Sequence, residues 1–454
     1  MKLAIGDWRL TIPRSIAGTT IAGLVWLLAT GLSAETVLLK GAAVHTVAGE
    51  TIPNGEVLVR DGKIAAVGKA VGVTNATVVD LTGLHLFPGM IALDTALGLR
   101  EIGAVRATVD EREVGEFTPD VQSWIAVNPD SELLPVARAN GVAYFEPVPQ
   151  GGVVAGQSAL VALDGWTTEE MAVRKPLALH VYWPAMELNT TPRDQARDRS
   201  RWKSLDEQAK ERAAQIRALD DFFKEAQAYA KAKEAAVQGA AEAPTPDPSW
   251  EAMLPFVRGE RPLVIHANEV RQIQAAVAWA ATNHWKIILA GGRDAWRVAD
   301  LLATNRVPVI FGHVFTQPAR DTDAYDAHFR APEVLRRAGV KVAFTVGGEF
   351  AASLAKNLPY EAAQAAAFGL PAEEAVKGIT LYPAQIAGVA DRFGSIEVNK
   401  VATLIALDGD LLDLRANVKR MWIAGKEVSL ESRHTRLYEK YKSRPKPGGV
   451  PAGR

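Results

Sequence analysis

One apolar stretch separates two patterns in this sequence, and it reads Leu86-Phe87-Pro88-Gly89-Met90-Ile91-Ala92-Leu93-Asp94-Thr95-Ala96-Leu97-Gly98. Before it, residues 36–84 hold short β-rich runs, and Asp61-Gly62 between two of them is a hairpin signal. Similar β-rich runs return near the C-terminus at 401–410 and 418–428. The simplest assembly is one small β-sandwich that both ends of the chain build beside a central domain.

After this stretch, apolar runs alternate with helical patterns. The runs are uninterrupted, which is typical of buried parallel strands, and they occupy residues 141–146, 262–267, 286–291, 307–312 and 340–345. Helical patterns lie between them at 270–283 and 294–304. Strand–helix units repeated over roughly 300 residues predict an α/β fold with a (β/α)8 TIM barrel.

A long helical segment interrupts this alternation. Ser204 and Glu207 have the spacing of a capping box. Apolar residues then recur at helical spacing, at Ile216, Leu219, Phe223, Ala226 and Ala230. The proline-rich stretch 241–248 ends the pattern as a stiff link. We expect a helical insertion at about residues 200–250 that packs over a barrel face, with a surface coiled-coil arm as the alternative.

Composition and the N-terminus limit the functions. The formal net charge is -1, so no basic field indicates a nucleic acid partner. The chain has no cysteine, which excludes disulfides, thiolate metal sites and a cysteine nucleophile. Lys2, Arg9 and Arg14 precede the apolar run 16–32, and small residues follow up to Ala34. This order predicts a secretory signal peptide and a periplasmic or secreted protein, with an uncleaved membrane anchor as the alternative.

Several motifs in order resemble the amidohydrolase superfamily, most closely its imidazolonepropionase-like group. The opening stretch is similar to the first-strand motif PGxIDxHxH of that family. Residues 380–389 are similar to T-x-x-P-A-x-x-x-G-[LV], and residues 394–397 with 402–405 are similar to G-S-[IL]-E…A-D-L-[IV]. The resemblance covers roughly residues 36–428.

The resemblance implies a domain plan. We expect a signal peptide at 1–34, the two parts of the β-sandwich at 35–86 and 385–430, the barrel at 87–384 with its helical insertion, and a C-terminal tail at 431–454.

The resemblance also implies a site at the carboxyl ends of the barrel strands. There the family binds one or two divalent metals, such as zinc, that activate a water and polarise the scissile carbonyl. The two ligand positions on the first strand fall on Asp94 and Ala96, and the fifth-strand position falls on His266. The sixth-strand position falls near Gly291 and the eighth on Val346. One histidine of the family's ligand set remains, whereas catalytic zinc needs about three protein ligands.

Two interpretations of these residues stay open. A rebuilt centre would use Asp94, His266, His313 and Glu349 as catalytic residues, with His266 as a metal ligand. His313 belongs to this set because it follows the expected seventh strand and so faces the same mouth. The simpler interpretation makes both histidines hydrogen-bonded structural residues at the barrel mouth.

Five residues are candidates for substrate binding at this mouth, namely Glu101, Arg106, Gly151, Gly152 and Arg293. Arg106 could hold a substrate carboxylate, and a solvated loop of ion pairs is the alternative. The glycine-rich loop 150–158 would let its backbone approach a substrate closely. A tight turn without a ligand is equally consistent with those glycines.

The sequence leaves two functions open. The first is an exported hydrolase that acts on non-peptide carbon–nitrogen bonds in small or cyclic amides, with a rebuilt or metal-free centre. The second is a catalytically degenerate barrel that binds a small-molecule ligand or a partner without turnover. A homo-oligomer or pairing with an active relative would suit this second function.

Overall fold

The computed structural model describes residues 36–347 and 351–444. The predicted signal peptide and Glu349 lie outside these ranges. Among the described residues, no helix combines the length and the apolar character needed to cross a bilayer.

The strands, in chain order, are β1 (Thr36–His45), β2 (Thr51–Arg60), β3 (Lys63–Gly68), β4 (Thr77–Asp80), β5 (His85–Pro88), β6 (Met90–Thr95), β7 (Val142–Pro147), β8 (Val154–Gln157), β9 (Leu160–Ala162), β10 (Ala172–Arg174), β11 (Leu179–Tyr182), β12 (Leu263–Ala267), β13 (Ile287–Gly291), β14 (Val309–Phe311), β15 (Val342–Phe344), β16 (Leu404–Leu407), β17 (Val418–Ile423) and β18 (Lys426–Glu427).

The helices are α1 (Leu133–Ala139), α2 (Thr168–Met171), α3 (Leu205–Val237), α4 (Pro248–Val257), α5 (Val270–Asn283), α6 (Ala299–Thr304), α7 (Ala327–Arg337), α8 (Ala351–Leu354), α9 (Leu358–Ala367), α10 (Ala372–Lys377), α11 (Leu381–Ile386) and α12 (Arg433–Lys442).

Both ends of the chain form one β-sheet. Seven of its strands follow the order β18-β17-β16-β5-β1-β2-β3, and β4 pairs with β1. The N-terminal and C-terminal parts join where β5 pairs in parallel with β1 and antiparallel with β16. One face buries a separate apolar core that includes Leu39, Val57, Ile64, Leu86 and Trp422. The expectation that the two termini build one small β domain agrees with this sheet.

The central strands surround the main apolar core. The five predicted apolar runs form β7 and β12 to β15, and β11 to β15 pair in parallel with their neighbours. β6 pairs in parallel with β7. At the other edge, Thr345 after β15 donates a hydrogen bond from Oγ1 to the carbonyl oxygen of Leu93 at 2.6 Å. The strand next to the first strand is therefore the last one, as in a barrel.

The segment between β7 and β11 departs from the parallel pattern. β9 runs antiparallel to β7, and β8 runs antiparallel to β11. β8 and β9 are consecutive in the chain, but they pair with different neighbours and lie in different sheets.

The predicted insertion is a helix of 33 residues, α3. Ser204 and Glu207 form the expected capping box. Phe223 is buried and packs edge-to-face on Trp279 of α5, with their ring centroids 5.0 Å apart. The apolar stripe of α3 therefore covers the outer helices of the barrel, as the helical spacing indicates.

The segment predicted as a C-terminal tail contains a helix. Ser432 and Thr435 cap α12 reciprocally, which explains why the helix begins there. None of its residues is buried, and Arg436 forms an ion pair with Glu132 before α1.

Candidate active site

Asp94 lies at the carboxyl end of β6, where the resemblance implies a metal ligand. Its φ is 52°, a left-handed value that is uncommon for a residue other than glycine. Its amide N–H donates to Glu146 Oε2 at 3.1 Å, and its carbonyl oxygen accepts from Thr345 Oγ1 at 3.1 Å. These two bonds fix the backbone that presents the Asp94 carboxylate 3.9 Å from His266 Nδ1.

Two histidines on neighbouring strands form a hydrogen-bonded pair. His180 Nδ1 on β11 and His266 Nε2 on β12 lie 2.9 Å apart. The ring of Tyr182 stacks on His266 with a centroid separation of 4.1 Å and an interplanar angle of 7°. His180 is completely buried, whereas 13% of the His266 side chain is exposed. The pair therefore connects the interior of the barrel to its mouth.

Glu146 extends this chain of polar groups inward. It is buried, and its Oε1 accepts from Ser158 Oγ at 2.6 Å and lies 3.3 Å from His180 Nε2. The contact to His180 lacks hydrogen-bond alignment. Burial pushes the pKa of Glu146 upward, but His180, Ser158 and the Asp94 N–H together hold it below its ordinary value. An ionised Glu146 thus lies behind the histidine pair.

Burial controls the protonation of the two residues nearest the mouth. It raises the pKa of Asp94 to about 6; the charge of Glu146 adds to this rise and His180 opposes it. Burial, followed by the neighbouring His180, holds the pKa of His266 well below its usual value. At neutral pH the site therefore holds an ionised Asp94 beside an uncharged His266, with a 3.9 Å gap between them.

His313 lies after β14 and binds other partners. Its Nε2 is 2.8 Å from Asn268 Oδ1, and its Nδ1 is 3.3 Å from Thr316 Oγ1. Burial lowers the pKa of His313 to about 4, so it is neutral at pH 7. Among the described residues, no hydrogen bond joins His313 to the histidine pair. Glu349, the fourth member of the rebuilt centre, is outside the described ranges.

The charged residues after β13 form a separate network. Arg320 holds the buried carboxylate of Asp294 with two hydrogen bonds of 3.0 and 2.6 Å. Burial favours a higher pKa for Asp294, but Arg320 outweighs it and the pKa is lowered. Arg293 Nη2 lies 3.9 Å from the same carboxylate, and 29% of its side chain is exposed. The Asp294 carboxylate, which already pairs with Arg320, thus holds Arg293 beside the barrel mouth.

The other candidate substrate residues lie in the loops after β6 and β7. Glu101 is partly buried and Arg106 is exposed, and no ion pair joins them in the described part of the chain. Gly151 and Gly152 have φ values of 91° and 65°. A Cβ on Gly152 would lie 2.6 Å from the carbonyl oxygen of Gly115. Close packing against this neighbouring loop accounts for the glycines without a ligand.

The residues that the structure describes do not fit the family's metal centre. Within residues 36–347 and 351–444, no group of three or more His, Asp or Glu side chains is arranged to hold a metal ion. Ala96 has no donor atom, and Val346 is a buried apolar residue. Gly291 has a φ of 83°, and a Cβ there would lie 2.6 Å from a side-chain oxygen. Asp94 and His266 remain as two donors, fewer than the three or so that catalytic zinc requires.

Sequence reasoning did not identify Glu146, Ser158 or His180 as members of this site. The available signal was a charged or polar residue inside an otherwise apolar strand, as at Glu146 in β7 and His180 in β11. Such residues are rarely buried without a partner.

Comparison with known protein families shows which family this chain belongs to. Residues 171–428 match the model of the amidohydrolase family, which is more than half of the chain. The chain belongs to the amidohydrolase family. No curated protein sequence matches it.

Solved structures support the same assignment. An amidohydrolase from Thermotoga maritima MSB8 is 27% identical, with a TM-score of 0.75 over 87% of this chain and 99% of that one. An adenosine deaminase from Xanthomonas campestris with bound zinc is 16% identical, with a TM-score of 0.50 over 89% and 97%. Molinate hydrolase is 15% identical, with a TM-score of 0.50 over 92% and 99%. The last two share the fold alone. The predicted fold class, a TIM barrel with a small β-sandwich domain, is confirmed.

Proposed function

We propose that this amidohydrolase-family chain binds a small amide at the barrel mouth and does not perform the family's metal-dependent hydrolysis. One observation carries the proposal. The Nε2 atom of His266, the remaining family histidine, is engaged by His180, 2.9 Å away. That contact leaves Asp94 and the Nδ1 atom of His266 as an incomplete donor set.

The same groups suit recognition of an amide. One fifth of the Asp94 side chain is exposed, so its carboxylate can accept a hydrogen bond from an amide N–H. Arg293, also partly exposed, can donate to the amide oxygen. Glu101, Arg106, Gly151 and Gly152 remain proposed ligand contacts in the loops around them.

Hydrolysis of non-peptide carbon–nitrogen bonds in small or cyclic amides is the second candidate function. Family membership favours it, as does the similarity to the Thermotoga maritima amidohydrolase. A carboxylate with a pKa near 6, such as Asp94, suits a general base close to neutral pH. In this case Asp94 would take a proton from the attacking water, and His266 would hold the carboxylate in place. Motif resemblance at residues 380–389 supports an imidazolonepropionase-like relationship and hence cyclic amide substrates.

The test separates the two functions. The chain beginning at residue 35 is purified without chelator, its zinc content is measured, and N-acyl amino acids and cyclic lactams are screened for binding by calorimetry and for hydrolysis. We expect substoichiometric zinc and saturable binding without turnover, with binding weakened in Asp94→Asn and unchanged in Asp300→Asn, an exposed control on α6. Turnover that disappears in Asp94→Asn would support the hydrolase instead. Stoichiometric zinc that is lost in His266→Ala would refute the first proposal.

Location and assembly are also proposals. The order of charge, apolar run and small residues at the N-terminus supports export, and the mass of the mature protein in the periplasmic fraction tests cleavage near Ala34. Recovery of the full-length chain with the membrane would favour the anchor. Light scattering of the purified chain tests for a homo-oligomer, and co-purification tests for pairing with an active relative.

A further inference from the structure

A cavity lies at the opposite end of the barrel from the candidate active site. Its volume is about 670 Å³. Pro262, Lys286 and Pro308 line it, and each immediately precedes a barrel strand, β12, β13 or β14. The cavity therefore opens at the amino ends of these strands, whereas His266 lies near the carboxyl end of β12. We call it the basal cavity.

The lining of the basal cavity is strongly cationic. Arg174, Arg261, Lys286 and Arg306 contribute to its wall, and Glu260 is the acidic residue in the same lining. Four positive groups and one negative group leave an excess of three positive charges. The protein as a whole has a formal charge of -1, so this end of the barrel concentrates charge of one sign.

None of these four cations forms an ion pair with another residue in the ranges 36–347 and 351–444. Arg174 donates to the carbonyl oxygen of Gly388, Arg261 Nε donates to that of Pro176 at 3.0 Å, and Lys286 Nζ to that of Gly259 at 3.5 Å. Among the residues described, no carboxylate lies within 4.0 Å of any of the four. Neutral carbonyl oxygens position these side chains without balancing their charge.

The environment of Arg174 shows that this arrangement disfavours the charged form of its guanidinium group. Burial lowers the pKa of Arg174, and the nearby charges of Arg261 and Arg392 lower it further, while Asp391 opposes them. The Nε atom of Arg174 is also buried without a hydrogen-bond partner in the described structure, as is Nε1 of Trp285 in the same lining. Unsatisfied donors among mutually repelling cations indicate that an anion is the missing partner.

We propose that the basal cavity binds a small, multiply charged anion that carries phosphate, such as a phosphate ester or a diphosphate. Guanidinium groups bind phosphate through two parallel hydrogen bonds. The charge excess is greater than a single carboxylate needs, and the volume is typical of a small-molecule site. This site is separate from the barrel mouth and does not depend on the function proposed there.

Calorimetric titration of the chain beginning at residue 35 with pyrophosphate, a nucleoside monophosphate and citrate tests the proposal. We expect saturable binding of a phosphate compound, about tenfold weaker in Arg261→Gln and in Arg306→Gln. Arg306→Gln keeps the test valid if other variants unfold, because its side chain makes no hydrogen bond in the described structure. Arg201→Gln, an arginine with 89% of its side chain exposed, is the matched control and should bind as the parent does.

Differences in affinity between the ligands, and between the variants, distinguish the possible outcomes. Binding of pyrophosphate alone assigns the site to inorganic phosphates, and tighter binding of the nucleoside monophosphate assigns it to an organic ester. Asp94→Asn should leave this binding unchanged, which separates it from the barrel mouth. Absence of saturable binding, equal affinity for citrate, or equal loss of affinity in Arg201→Gln would overturn the proposal.

Discussion

Replacing Glu361 by glutamine should stabilise the protein increasingly as the pH rises. Glu361 lies in α9 and is 5% exposed, and its Oε2 atom has no hydrogen-bond partner in the described structure. Burial raises its pKa from 4.5 to about 8. Glutamine has the same shape and carries no charge at any pH, so the substitution removes the titration and little else.

The direction of this pH effect on the free energy of unfolding follows from proton binding to Glu361. Below pH 4.5 both the folded and the unfolded chain carry a protonated Glu361, and the group adds no pH dependence. Between pH 4.5 and about 8 the unfolded chain releases this proton while the folded chain keeps it, so the free energy of unfolding falls as the pH rises. Each pH unit in this window is worth about 1.4 kcal/mol, which gives a penalty of about 3 kcal/mol at pH 7 and approaches about 5 kcal/mol above pH 8.

Urea denaturation followed by tryptophan fluorescence measures this effect. We expect Glu361→Gln and the parent to unfold at the same urea concentration at pH 4.5, and the variant to be more stable by up to about 3 kcal/mol at pH 7. Glu225→Gln, on the exposed surface of α3, is the control and should show no such trend. A stability gain that does not grow with pH, or a loss at every pH, would refute this account of the Glu361 environment.

Three further predictions concern the polar chain, the glycine loop and the metal. Ser158→Ala removes the 2.6 Å hydrogen bond to the buried Glu146 and should lower the free energy of unfolding by about 1–3 kcal/mol; an unchanged urea midpoint would contradict this. Gly152→Ala introduces a Cβ 2.6 Å from the Gly115 carbonyl oxygen at a φ of 65°, and should lower the melting temperature, whereas Gly72→Ala, with open space around it, should not. Added zinc should leave the melting temperature unchanged, and a rise that a chelator reverses would show a metal site.

The barrel was predictable because its signals are local. Uninterrupted apolar runs predict buried strands, and all five such runs are strands of the barrel. The capping box at Ser204 and the helical spacing through Phe223 likewise predict α3 from neighbouring residues. Each of these elements is specified by residues that lie close together in the sequence, so periodicity and capping were sufficient.

The polar chain at the candidate active site was less predictable because strand pairing assembles it. Glu146, Ser158, His180 and His266 come from four segments, and no spacing in the sequence brings them together. The resemblance marked Asp94 and His266 as family positions but gave no partner for either. Ser158 lies between the antiparallel strands β8 and β9. The direction of these strands depends on how the chain turns after β7.

The β-sheet built from both termini has a consequence for the order of events during synthesis. Leu86 of β5 pairs with Ala406 of β16, so the N-terminal part of this sheet lacks this neighbour until the whole barrel and β16 have been synthesised. Until then, the β5 edge offers unsatisfied backbone groups that only a late-arriving segment can cover. A chain whose synthesis has not yet reached β16 therefore cannot complete this sheet, even when all the barrel strands are already present.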